Sequence, residues 1–130
     1  MDTFKEYAAT AAMVPAARAF VADHFAGHPD MEDARLLASE LAQNAVRHGL
    51  GARFSVAIDH GADVTVTFTN TGLPWQPQAI DTGFADVESE NGRGLSLMAA
   101  LAPAYGIDVA GEQTTIWFSF PTAAVIPIAA

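Results

Sequence analysis

Phosphate is the ligand that Gly92-Arg93-Gly94 suits. Two glycines let a backbone approach closely, the apolar run that follows reads as a helix whose N-terminus offers free N–H groups, and Arg93 adds charge-assisted donors. A second cluster, Asn70-Thr71-Gly72-Leu73-Pro74, stands where a strand-like run breaks into a long loop. There a side-chain acceptor beside a glycine suits a flat ligand, although an ordinary turn has the same composition. A third, Glu40, Asn44, Arg47 and His48, is spaced for one helix face. At about 100° per residue, Asn44 falls about 40° from Glu40 and Arg47 about 20° to the other side. A carboxylate, an amide and a guanidinium thus stack beside the arc of Leu37, Ala38, Leu41 and Ala45, with Leu36 intruding on the polar side. Alone, that stripe also reads as a solvated face with an i,i+3/i,i+4 network. The fourth cluster, Gly111 followed by Thr114-Thr115, reads by itself as strand-forming residues after a turn.

The elements that must position these residues are punctuated in the sequence. Val14 to Ala26 is alanine-rich, with Pro15 suited to a first helical turn and Gly27-His28-Pro29 as a stop. A second helix is predicted over 31–48, with Asp30 as N-cap, Asp33 at the capping-box position, Arg47 and His48 complementing the last turn, and Gly49 and Gly51 ending it. Phe54, Val56 and Ile58, then Val64, Val66 and Phe68, alternate with polar residues around His60-Gly61-Ala62-Asp63, which predicts an antiparallel hairpin with one buried face. Residues 2–9 fit a short edge strand. Leu95 to Ala102 fits a third helix stopped by Pro103, and Tyr105–Ala110 with Thr114–Phe120 fits a second hairpin around Gly111. Residues 70–92, with the acids Asp81, Asp86, Glu88 and Glu90, form a stretch long enough to be a lid or binding loop.

Composition narrows the function classes. The 130 residues suit one domain, and 51% apolar content with mean hydropathy +0.21 argues against disorder. Alanine supplies 27 of the apolar residues, which suits closely packed helices. A net charge of -9, with Lys5 the single lysine, disfavours direct nucleic-acid binding and anionic membranes. There is no cysteine and so no disulfide or thiolate chemistry. With no run of about 18 apolar residues and no basic leader, a cytoplasmic protein without membrane association is expected.

Taken together, in their order and spacing, the four clusters resemble the GHKL ATPase and kinase superfamily. Ser39-Glu40-Leu41-Ala42-Gln43-Asn44-Ala45-Val46-Arg47-His48-Gly49 looks like its N-box, Asn70-Thr71-Gly72 its first glycine box, Asn91-Gly92-Arg93-Gly94-Leu95 its second, and Gly111 to Trp117 the strand closing the adenine pocket. The branch it resembles most is that of the anti-sigma-factor serine kinases, over about residues 14–121. The resemblance implies an α+β fold, the Bergerat ATP-binding fold: a two-layer sandwich whose mixed, mostly antiparallel sheet is covered on one face by about three helices. It implies one domain over 1–121, a lid over about 75–91, and an apolar tail over 122–130.

The same resemblance implies that Asn44 holds Mg²⁺ between the protein and ATP, and that Glu40 is the catalytic base acting on a hydroxyl. Gly92, Arg93, Gly94 and Leu95 would hold phosphates, with Arg47 and His48 supporting that side. Asn70, Gly72 and Thr115 would surround the base. The implied function is a regulatory protein-serine kinase using Mg-ATP, with a sigma factor or a small anti-sigma antagonist as partner. A homodimer is compatible with the relatives. The family usually has aspartate where this chain has Asn70, which loses a charge-assisted bond to the adenine amino group. That departure, with the acidic loop, keeps a second function open: a protein-binding module with weak or no nucleotide binding.

Overall fold

The computed structural model describes residues 3–48, 52–71 and 97–122. The chain begins with strand β1 (Thr3–Ala8), a 3-10 turn (Ala11–Met13) and helix α1 (Val14–Asp23). Helix α2 (Met31–His48) and strands β2 (Arg53–His60) and β3 (Asp63–Thr71) follow. After residues 97–101, which are helical, come β4 (Ala104–Ala110) and β5 (Gln113–Pro121).

The five strands make one sheet in the order β1-β2-β3-β5-β4, and every pairing is antiparallel. Alternation sorts its residues cleanly. Phe54, Val56 and Ile58 of β2 line up with Phe68 and Val66 of β3, and these with Ile116 and Phe118 of β5. All are buried under the helices. Phe54 stacks on Phe68 with centroids 6.3 Å apart, and Phe120 meets Phe25 edge-on at 5.9 Å. The other face carries Phe4, Ala57, Thr67 and Trp117 in one row across the strands, ending at Gly106.

Alanine does the packing on the helix side. Ala34, Ala38, Ala42 and Ala45 of α2 are buried beside Leu37 and Leu41, as is Ala17 of α1 beside Val14 and Val21. Side chains this small let helix axes approach each other and the sheet closely.

Helix α1 ends three residues earlier than expected. From His24 the backbone tightens into i→i−3 bonds, His24 N–H to Val21 O at 3.0 Å and Phe25 N–H to Ala22 O at 3.0 Å. This turn sets Phe25 into the core, and Gly27 follows at φ +79°. The β4–β5 hairpin turns at Gly111, whose φ of +61° favours glycine. Of the apolar tail, Thr122 is fixed: its N–H bonds Ala62 O at 3.0 Å and its hydroxyl donates to Gly61 O. Residues 123–130 lie outside the described residues.

Candidate functional site

Only four residues separate His48, the last of α2, from Arg53, the first of β2. The C-terminal end of α2 therefore lies at the pole of the sheet where β2 begins. Register places Phe54 opposite Asn70, and Asn70 opposite Thr114. The end of α2, the end of β3 and the start of β5 thus share one pole.

On α2, Asn44 is only 2% exposed, and its Nδ2 has no hydrogen-bond partner among the described residues. A buried amide left unpaired costs about 1–3 kcal/mol, so its presence calls for a ligand or ion. Glu40, one turn earlier, is half-buried and engaged by a neighbour. Arg47, one turn later, is exposed and likewise engaged. His48 closes the helix. The stripe expected from the spacing is therefore present, with its middle member buried.

The sheet supplies the other half. Along one row of the helix-covered face run Tyr7, Phe54, Asn70, Thr114 and Val109. Tyr7 stacks on Phe54 at 5.5 Å, and burial pushes its phenol above the ordinary value of 10.0, so it stays neutral. Asn70 is half-buried and Thr114 is 1% exposed.

Thr115 does not join this row. It pairs with Thr69 and Asp108, on the opposite face of the sheet. Its neighbour Thr114 stands in the row instead. The signal was available: Ile116, Phe118 and Phe120 put the even-numbered residues of β5 inward, and Thr114 falls in that phase. Gly72, Gly92, Arg93, Gly94, Leu95 and the lid over 75–91 lie outside the described residues.

A groove of about 510 Å³ along the helices lies apart from these residues. Arg18, Glu32, Asp33, Arg35, Leu36 and Ser39 line it, and a 2.7 Å Arg35–Glu32 ion pair helps balance its charges. It holds neither Asn44 nor Asn70. Among the described residues, no group of three His, Asp or Glu could hold a metal ion, and no helix is long and apolar enough to cross a membrane.

A family model, the histidine kinase-like ATPase domain, matches residues 5–120. This chain belongs to that family. Solved structures share the fold. The RsbU and RsbW domains of Rv1364c from Mycobacterium tuberculosis match with TM-score 0.69 and 20% identity, over 93% of this chain and 32% of that one. The chain therefore spans about a third of the length of that relative. The SiaB–SiaC complex of Pseudomonas aeruginosa matches with TM-score 0.67 and 12% identity, over 91% of this chain and 88% of the other. The catalytic domain of histidine kinase ThkA matches with TM-score 0.56 and 16% identity, over 92% and 95%. No curated protein matches by sequence. At these identities the structures establish the shared ATPase-domain fold.

Proposed function

We propose that the chain binds Mg-ATP at this pole and transfers its γ-phosphoryl group to a serine hydroxyl of a regulatory protein. The observation that carries the reading is the buried, unpaired amide of Asn44 one turn from Glu40. Rotation of that amide exchanges Nδ2 for Oδ1, and an oxygen there suits a hard cation that keeps several waters and binds few protein groups. The residues present therefore fit Mg²⁺, and Asn44 is the one that would hold it. Held there, the ion would supply positive charge for a polyphosphate in a chain at net -9.

Each residue then has a task. Asn70 and Thr114 face the base, with Gly72 beside them. Gly92, Arg93, Gly94 and Leu95 hold the phosphates, with Arg47 and His48 in support. Glu40 accepts the proton of the attacking hydroxyl as its oxygen bonds to the γ-phosphorus. The bond from that phosphorus to the β,γ-bridging oxygen breaks, and ADP leaves. A protein partner is supported by the neighbour solved as a SiaB–SiaC complex and by the RsbW domain. A sigma factor or a small anti-sigma antagonist fits this role.

Slow ADP formation with water in place of the partner's hydroxyl tests the chemistry. Glu40→Ala should lower it about 10²–10⁴-fold with Mg-ATP binding retained. Equal ADP formation by wild type and variant would sink the kinase reading. The alternative, a protein-binding module, rests on Asn70 in place of aspartate. It would be supported if calorimetry showed no nucleotide binding by wild type or by Asn70→Asp.

A further inference from the structure

Among the described residues, the helix-covered face of the sheet contains no carboxylate. Every acidic residue within the five strands falls on the opposite face. Glu6 pairs with Ser55, Asp59 with Thr65, Asp63 with Pro121, and Asp108 with Thr115. The row that includes Asn70 reads Tyr7, Phe54, Asn70, Thr114 and Val109, all uncharged, with the Tyr7 phenol neutral. On α2, Glu40 stands one turn before Asn44.

An acceptor-only group discriminates purines at the 6-position. A carboxylate accepts from the 6-amino group of adenine and repels the 6-oxo group of hypoxanthine or guanine. An amide does not impose that choice. One orientation of Asn70 offers its C=O to a 6-amino group, and a half-turn about its last torsion offers an N–H to a 6-oxo group. A polar site rejects a ligand when its buried groups are left unpaired, and the two amide orientations leave Asn70 a partner with either purine.

We infer that the nucleotide site is permissive at the purine 6-position, taking 6-oxo nucleoside triphosphates as well as ATP, with Asn70 as the residue that sets this. The inference rests on the proposed placement of Asn70 against the base. It makes the substrate class purine nucleoside triphosphates.

Calorimetry of wild type and Asn70→Asp with ATP and with ITP, each with Mg²⁺, tests it. ITP is the probe because it changes the 6-position without the 2-amino group of guanine. Wild type should bind the two within about tenfold. Asn70→Asp should favour ATP by at least a further tenfold, through tighter ATP and weaker ITP binding. A wild-type preference for ATP of a hundredfold or more would overturn the inference with no variant needed. So would a preference that Asn70→Asp leaves unchanged, and both results would leave the ATP site standing. No binding of either nucleotide by either protein would overturn the ATP reading itself and this inference with it.

Discussion

Asn70 of β3 and Thr114 of β5 stand directly opposite each other on the helix-covered face of the sheet. Thr115, one residue on, faces away. Two nearly isosteric substitutions separate these positions. Thr114→Val should weaken ATP binding by about 1 kcal/mol, roughly fivefold to tenfold, the net worth of one hydrogen bond. Thr115→Val should leave it within twofold. Calorimetry on both variants decides, and equal effects would remove Thr114 from the base pocket.

Asn44 sets stability against the proposed function. Its Nδ2 lacks a partner while the residue is 2% exposed, so Asn44→Leu exchanges an unpaired amide for an apolar side chain of similar volume. The variant should be about 1–3 kcal/mol more stable by urea unfolding. It should also lose the dependence of nucleotide binding on Mg²⁺. A variant destabilised by more than about 1 kcal/mol would show that the amide serves the fold.

The opposite pole responds to acid. His24 Nδ1 and His60 Nε2 lie 2.9 Å apart, joining the end of α1 to the end of β2, and a hydrogen bond at that distance needs one nitrogen unprotonated. Desolvation chiefly, and then the charge of His60, hold the His24 imidazole below its ordinary value of 6.5, against the opposing pull of Asp23. The unfolded chain therefore binds this proton more readily than the folded one. Stability from this source is fully present above about pH 6.5 and is lost as the pH falls below it. Thermal melting at pH 7.5 and pH 5.5 should show a smaller acid-side loss for His24→Gln than for wild type. An equal loss would clear the pair of any part in it.

The outer face has its own constraint. A Cβ added at Gly106 would lie 2.5 Å from Trp117 Nε1 and 2.8 Å from its Cε2. Gly106→Ala must displace the indole and should cost about 1–3 kcal/mol. A change in the near-ultraviolet circular dichroism of Trp117 should accompany the loss. An unchanged spectrum with full stability would mean that the indole does not constrain this position.

The fold was largely legible where apolar spacing has a clear period. Phe54, Val56 and Ile58 declare the inner face of β2, and α2 runs over the span its caps and glycines predict. Three things were harder to read. The alanines of α1 continue past the point where Phe25 turns into the core, so composition does not mark its end. Thr114 and Thr115 are the same residue type, and only the phase of Ile116 and Phe118 tells them apart. The insertion of β5 between β3 and β4 is a long-range pairing with no local signature. For the site, helical spacing made Glu40, Asn44 and Arg47 readable as a stripe, whereas the burial of Asn44 depends on the sheet beneath it.

The pairing of Asn70 with Thr114 also bears on how the molecule forms. The hairpins β2–β3 and β4–β5 close over short turns, but β3 meets β5 only by closing a loop of roughly forty residues, which delays that contact in folding. The pairing of Asn70 with Thr114 should therefore appear late, after the hairpins exist.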